Sequence, residues 1–404
     1  MKLKLAQLDT ILSRELKITG SKSETNRSLL LQAFYPELLL QNISNSDDAN
    51  TMREALAKGS GVIDVHHAGT AMRFLTAYFA VKPGVDVILT GSERMQQRPI
   101  KILVDALRTI GCQIEYLKKE GYPPIKIQGV VPVENSVSLK ANVSSQYISA
   151  LMLIGSSLTA GLTIHLEGEV TSVPYINMTK QLLFQIGIET KFEGNRISIN
   201  PQTKVASQTI TIESDWSSAS YFYSMMALSN DGEVTLSFYK KESYQGDARL
   251  ATIYKSFGVE TLFINDTITL KKKSKTVDNI VLNLVDAPDI AQTIAVTCFG
   301  LGISCNLKGL HTLKIKETDR LLALKTELEK LGGKVHITED SLFLEPSSHI
   351  HPDITVETYN DHRMALAFAP LALKTSLSIN DADVVTKSYP DFWNDLERLG
   401  FKFS

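Results

Sequence analysis

Cations and small polar residues gather at a few short stretches of this 404-residue sequence, several of which open a mostly apolar run. Gly20-Ser21-Lys22-Ser23-Glu24-Thr25-Asn26-Arg27 precedes SLLLQAF, and His67-Ala68-Gly69-Thr70-Ala71-Met72-Arg73 precedes FLTAYFA. Arg94-Met95-Gln96-Gln97-Arg98 stands before Pro99, and Ser144-Ser145-Gln146 opens YISALMLIG. The second half carries Asp286-Ala287-Pro288-Asp289, Lys316-Glu317-Thr318-Asp319-Arg320 and Asn360-Asp361-His362-Arg363-Met364, with Lys387 at the final turn. A helix start leaves backbone N–H groups without partners and carries the positive end of the dipole. Arg, Lys and Ser added at such starts make sites for phosphate and carboxylate groups. The predicted chemistry is recognition of small anions, with nearby carboxylates available for proton transfer.

Each stretch also has a plainer reading. The first lacks the GxxxxGK[ST] spacing of a nucleotide-binding P-loop. His66-His67 has no partners at metal-ligand spacing, so no metal is expected. Asp289 alone could serve as an N-cap, and either acid–base cluster alone could be a structural ion pair. Recurrence of the pattern at one helix start after another favours binding over these local explanations.

The elements that must position these residues repeat along the chain. An amphipathic helix running into Gly and then an alternating strand occurs from Arg98, Pro174, Gln245, Glu317 and Pro390, and in degenerate form from Asp47. The glycines, among them Gly187, Gly258, Gly332 and Gly400, suit helix C′ positions of positive φ. Between these copies lie six helices that are apolar on most sides, joined by strands such as PPIKIQGV, RISINP, TITLKK and SLFLEP. Six βαβαββ-like units, grouped three and three, predict an α/β protein of two similar domains wrapped around buried helices. The expected domains are residues 14–212, and residues 1–13 together with 213–404, the first strand completing the second half.

Hydrophobic content of 43% and charged content of 21% are those of a globular chain. A net charge of −2 gives no bulk attraction for nucleic acid or an anionic membrane. The apolar stretches near 148–164 and 290–307 are interrupted by polar residues and fall short of a span. Cys112, Cys298 and Cys305 read as buried free thiols in a reducing, cytoplasmic setting.

With these residues in hand, the chain resembles the EPSP synthases (3-phosphoshikimate 1-carboxyvinyltransferases) of the enolpyruvyl transferase superfamily. GSKSETNR, AGTAMR, RMQQRPI, VSSQ, DWSSASYF, QGD, DAPDIAQT, KETDR, YNDHRMA and KSYPDF stand in that family's order over nearly the whole chain. The resemblance implies buried parallel helices, a hinge, and a site in the cleft between the two domains. The reaction it implies moves the enolpyruvyl group of phosphoenolpyruvate to the 5-hydroxyl of shikimate 3-phosphate, a step of the shikimate pathway toward chorismate and the aromatic amino acids. No cofactor or metal is implied, and a monomer with no nucleic-acid or membrane partner is expected.

Carried over residue by residue, the resemblance puts Lys22 on both substrates and Ser23 and Arg27 on the shikimate moiety. Ser144, Ser145 and Ser172 would hold its 3-phosphate, with Gln146 and Tyr175 lining that pocket. Asp289 and Lys316 would also touch shikimate 3-phosphate. Gly69, Arg98, Gln146, Arg320, Arg363 and Lys387 match the phosphoenolpyruvate site. Asp289 is the implied base, Glu317 the implied acid, and Lys22 a third catalytic group.

Three positions depart from the family pattern. His67 replaces the usual Asn of NAGTAMR, Thr312 stands where an Asn is common, and the Lys58–His67 stretch is short. Two rivals remain at this level. The sister transferase acting on UDP-N-acetylglucosamine usually carries a Cys in the loop matching Arg94–Arg98, where this chain has Met95, Gln96 and Gln97. A non-catalytic binding protein of the same fold predicts loss of catalytic acids, yet Asp289 and Glu317 are both present.

Overall fold

The computed structural model describes residues 1–140, 144–168, 170 and 173–404. The chain divides into two compact units, one of residues 20–212 and one of residues 1–19 with 213–404. Each is α/β, and in each the strand-forming stretches alternate buried and exposed residues. Leu162–Glu167, for example, buries Leu162, Ile164 and Leu166 on one face.

In the 20–212 unit, strands Gly61–Asp64, Asp86–Thr90, Gln113–Tyr116 and Ile125–Gln128 form one sheet. Strands Ser136–Lys140, Leu162–Glu167, Thr190–Glu193 and Arg196–Ile199 form a second. Both place their strands in the order first, second, fourth, third, with a parallel first pair and antiparallel pairs after it. That is the βαβαββ unit expected from the sequence. The degenerate copy leaves a two-stranded parallel pair, Leu38–Gln41 with Gln208–Thr211. The short Lys58–His67 stretch still delivers one strand, released from its helix by Gly59 in the left-handed region at φ 66°.

The other unit repeats the plan. Arg14–Leu16, Glu233–Ser237, Val259–Ile264 and Thr267–Lys272 form one sheet, and Asn279–Asn283, Ser304–Lys308, Val335–Ile337 and Leu342–Leu344 another. Ile354–Val356, Leu377–Ile379 and the chain's first strand, Leu3–Leu5, make a third. The boundary expected at residue 14 lies early. Arg14–Leu16 runs parallel to Glu233–Ser237, and Leu16 and Ile18 are fully buried in this unit's core.

Among the described residues, three buried helices fill each unit: Lys22–Phe34, Gly69–Ala80 and Ser145–Gly155 in one, Trp216–Leu228, Ala291–Leu301 and His362–Phe368 in the other. Most are apolar all round because they are enclosed all round, whereas Lys22–Phe34 is polar over its first half and buried over Glu24–Leu31. Every residue of Trp216–Leu228 is buried, and so is every residue of Gly69–Ala80. Each fully enclosed Leu, Ile, Met or Phe there contributes about 1.5–3 kcal/mol relative to exposure. Close approach requires Gly300, where an added Cβ would come within 2.7 Å of a Leu228 methyl. Such packing leaves only the helix starts for polar chemistry. Cys112, Cys298 and Cys305 are free and buried. Among the described residues, no helix is long and apolar enough to cross a membrane.

Candidate active site

In the unit holding residues 213–404, three helix or turn starts bring charge together. Asp319 caps the Arg320–Lys330 helix, its carboxylate accepting from Leu322 N at 3.1 Å. That cap fixes Arg320, the next residue, with only 2% of its side chain exposed. Its guanidinium is shared among three carboxylates. Nε donates to Asp361 Oδ2 at 2.6 Å, Nη1 to Asp289 Oδ1 at 3.0 Å and Nη2 to Glu317 Oε2 at 2.9 Å. Asp361 is itself the N-cap of His362–Phe368 and accepts from Arg363 N at 2.9 Å.

Further cations face the same carboxylates. Arg363 Nη2 lies 3.2 Å from Asp289 Oδ2, and Lys316 Nζ lies 3.8 Å from Asp289 Oδ1. Lys387 Nζ donates to Glu317 Oε1 at 2.7 Å. The Nε of Arg363 is buried without a hydrogen-bond partner among the described residues. Burial alone would raise the Asp289 pKa, but Arg363, Lys316 and Arg320 outweigh it and hold the carboxyl well below its usual range. Burial works against the charge of Arg320 and Arg363, and the surrounding carboxylates reverse that, raising both. Asp289 pulls Lys316 upward, yet burial together with Arg320 and Arg363 leaves it below an ordinary ammonium.

The 20–212 unit carries its own set. Lys22 heads the Lys22–Phe34 helix, with Nζ 3.1 Å from Asp48 Oδ2. Asp48 is buried near the start of Asp47–Lys58, which Ser46 caps through Ala49 N. Arg27 is buried, with Nε on Thr179 Oγ1, Nη1 on Ser23 O and Nη2 on Ser149 Oγ. Tyr175 and Phe74 face its guanidinium at 5.9 and 5.3 Å from the ring centroids. Burial lowers Arg27 to about 10, so it remains a cation at neutral pH, held by neutral hydroxyl and carbonyl oxygens.

At the start of Gly69–Ala80, the Arg98 guanidinium presses against the backbone. A Cβ on Gly69 would stand 2.5 Å from Arg98 Nη1. Arg73 ties this turn down, donating to Gly69 O at 3.3 Å and to Pro99 O at 2.9 Å. Gln146 Nε2 donates to Thr70 Oγ1 at 3.1 Å, which joins the Ser144–Gln146 start to the same turn. Ser144 caps Ser145–Gly155 through Gln146 N. His67 Nδ1 pairs with Ser92 Oγ at 2.8 Å, so this departure from the family pattern is anchored.

The structure thus brings Asp289, Lys316, Glu317, Arg320, Arg363 and Lys387 together in one unit. In the other it brings together Gly69 with Arg98 and Gln146, and Ser23 with Arg27 and Tyr175. Ser172 lies outside the described residues. Thr312 Oγ1 is buried without a partner among the described residues. Reading the sequence missed Asp48, Arg73 and Asp361 as bracing groups. The acidic pair Asp47-Asp48 directly after Ser46 reads in sequence as an ordinary helix start, with nothing to mark Lys22 as its partner.

Residues 57–396 match the family model described as EPSP synthase (3-phosphoshikimate 1-carboxyvinyltransferase). The chain belongs to the EPSP synthase family. A 3-phosphoshikimate 1-carboxyvinyltransferase of Bacteroides fragilis is 45% identical over 391 residues, covering 96% of this chain and 95% of that protein. One from Colwellia psychrerythraea is 34% identical, covering 95% of this chain and 96% of its own length. The fold matches a solved EPSP synthase from Acinetobacter baumannii with a TM-score of 0.81 at 20% identity, covering 100% of this chain and 99% of that one. It also matches the enolpyruvyl transferase NikO from Streptomyces tendae, with a TM-score of 0.74 at 14% identity over 100% of this chain and 98% of that one. As an EPSP synthase family member the chain is a transferase. The clustered cations and carboxylates described above are its candidate catalytic machinery.

Proposed function

We propose that this chain transfers the enolpyruvyl group of phosphoenolpyruvate to the 5-hydroxyl of shikimate 3-phosphate, yielding 5-enolpyruvylshikimate 3-phosphate and phosphate. The observation that carries this reading is the enclosure of Asp289 and Glu317 by Arg320, Arg363, Lys316 and Lys387. Those cations are neutralised by carboxylates that substrate anions can replace. Phosphoenolpyruvate would take Arg320, Arg363, Lys387, Arg98, Gln146, Lys22 and the Gly69 backbone. Shikimate 3-phosphate would take Lys22, Ser23, Arg27, Ser144, Ser145, Gln146, Ser172, Tyr175, Asp289 and Lys316. Bidentate Arg forks suit carboxylate and phosphate better than Lys does, in keeping with three Arg in the first set.

Chemistry then follows from redistribution of charge. The transfer adds a proton to the methylene carbon of phosphoenolpyruvate while the 5-hydroxyl oxygen bonds to the neighbouring carbon and gives up its proton. Loss of a methyl proton and of phosphate restores the double bond. Arg320 and Arg363 hold Asp289 strongly ionised when nothing else engages them. A bound anion that draws them away leaves Asp289 more basic, fit to accept the hydroxyl proton. The same withdrawal of Lys387 and Arg320 from Glu317 favours its acid form, fit to donate toward carbon. Each transfer is typically worth about 10²–10⁴-fold in rate. Lys22, paired with Asp48, would serve both substrates.

Sister chemistry on UDP-N-acetylglucosamine is less well supported, because the Arg94–Arg98 loop has no Cys and the relatives named above carry the shikimate activity. Retention of both acids argues against a non-catalytic role. We further infer a monomeric, cytoplasmic enzyme with neither nucleic acid nor membrane as partner, in line with its near-neutral charge. The test is phosphorus NMR of the purified protein with both substrates. A new phosphate monoester should appear with inorganic phosphate in equal amounts, and an unchanged spectrum would sink the reading.

A further inference from the structure

Asp247 is a buried carboxylate for which the reaction above has no use. It sits in the short turn Gly246–Arg249, and the turn is pinned to the start of Trp216–Leu228 by its neighbour Gln245. Gln245 Oε1 accepts from Trp216 N at 3.0 Å, and its Nε2 donates to Ser214 O at 2.9 Å. This fixes Asp247 beside Ser217, whose hydroxyl donates to Asp247 Oδ2 in a short hydrogen bond. With its proton committed, Ser217 Oγ can accept from Arg363 Nη2, which lies 3.3 Å away. The same nitrogen of Arg363 is 3.2 Å from Asp289 Oδ2. Asp247, Ser217, Arg363 and Asp289 therefore form one chain ending on a proposed substrate cation and the proposed base.

We propose that Asp247 is a positioning residue which, through Ser217, sets how firmly the protein holds Arg363 and so how readily Arg363 takes the anionic enolpyruvyl donor. The inference rests on the reading of Arg363 as a phosphoenolpyruvate ligand. Ionised Asp247 keeps the Ser217 lone pair on Arg363 and adds negative charge close to the guanidinium. Protonated Asp247 instead donates to Ser217 Oγ, and that negative charge is gone. Arg363 is then released toward an incoming carboxylate or phosphate.

The switch falls in a useful range. Burial, followed by the charge of Asp289, pushes Asp247 up to about 7, against the opposing pull of Arg363 and Ser217. Other titratable groups lie on the elements around it. Trp216–Leu228 presents Tyr221 and, at its cap, Asp215. Leu250–Ser256 carries buried Tyr254, bonded to Thr297, and exposed Lys255. Arg249, on the same turn, is turned away to Asn283 O. None of these replaces the Ser217 link to Arg363.

By linkage, an anion that engages Arg363 weakens the attraction keeping Asp247 ionised, so its binding takes up a proton. Phosphoenolpyruvate should bind more tightly on the acid side of the Asp247 titration, with KM rising as pH passes through it. The substrate's own phosphate titrates near pH 6, and that effect cancels in a ratio of two enzymes.

The experiment measures KM for each substrate from about pH 6 to 8 in the wild type, Asp247→Asn and Ser217→Ala, by phosphate release. Asparagine imitates the protonated acid at every pH. The wild-type to Asp247→Asn ratio of KM for phosphoenolpyruvate should climb from near unity to about fivefold or more, with KM for shikimate 3-phosphate unmoved. Ser217→Ala breaks the link itself, so its KM for phosphoenolpyruvate should keep at most a small part of the wild-type step. That variant carries the test if Asp247→Asn does not fold. A constant ratio, equal changes in both KM values, or a Ser217→Ala step as large as the wild type's would overturn the inference. Absence of any wild-type turnover would instead overturn the underlying reading.

Discussion

Lys387 Nζ and Glu317 Oε1, 70 residues apart in sequence, meet at 2.7 Å. The proposed proton donor is thus held by a cation that a substrate phosphate would claim. If Glu317 delivers the proton to carbon, Glu317→Gln should lower kcat by about 10²–10⁴-fold, with KM for phosphoenolpyruvate changed far less. Steady-state kinetics with both substrates checks this, and a kcat within threefold of wild type would remove Glu317 from that role. Lys387→Met should act in the opposite sense, mainly raising KM for phosphoenolpyruvate.

Gly69→Ala separates binding from folding. The new methyl would intrude on the Arg98 guanidinium at 2.5 Å, and the intruded group is the far end of a flexible side chain. Arg98 can move aside cheaply, so the thermal midpoint should shift by no more than about 2–4 °C. The anion site it leaves is spoiled, and KM for phosphoenolpyruvate should rise at least tenfold. An unchanged KM would show that Arg98 and the Gly69 turn do not grip this substrate.

Asp361→Asn tests the brace beneath the charged cluster. Asn still caps His362–Phe368, because it is as good an N-cap as Asp. What is lost is the charge opposite Arg320 Nε in a fully buried pair. Breaking such a pair costs about 3–5 kcal/mol, and the lower end applies because Arg320 keeps Asp289 and Glu317. Urea unfolding should show a loss near 3 kcal/mol at unchanged slope. A loss below about 1 kcal/mol would mean that Asp361 is dispensable to the cluster.

Asp247 also predicts a stability signature. Its folded pKa is raised to about 7 from an ordinary carboxylic value near 4. Between those values the folded protein holds a proton that the unfolded chain has lost, so the contribution of Asp247 to stability falls as pH rises from about 4 to 7. Asp247→Asn cancels that slope. Relative to wild type, it should gain on the order of 2–4 kcal/mol between pH 4 and pH 7.5. Parallel stability curves for the two proteins would contradict the assignment.

Much of this was legible in the sequence, for physical reasons. The buried helices show because total enclosure demands apolar residues on every face, as in Trp216–Leu228. The marker glycines show because Gly187 and Gly258 need positive φ, at 84° and 79°. The helix-start clusters show because cations are otherwise costly beside such helices. The bracing groups do not show. Asp48, Arg73 and Asp361 act through contacts with residues far away in sequence, and nothing local distinguishes an acid that braces a cation from an ordinary cap. Residues 14–19 belong with the 213–404 half, beyond the boundary expected at residue 14; a three-residue strand carries too little pattern to reveal its partner, Glu233–Ser237.

The central claim is that the cations around Asp289 and Glu317 serve transfer between two anionic substrates. Its most direct measurement is the initial rate of phosphate release from phosphoenolpyruvate, with shikimate 3-phosphate, with UDP-N-acetylglucosamine and with no acceptor. Release that requires shikimate 3-phosphate and falls to background in the other two mixtures is the predicted result. Release with the UDP-sugar alone, or with neither acceptor, would contradict it.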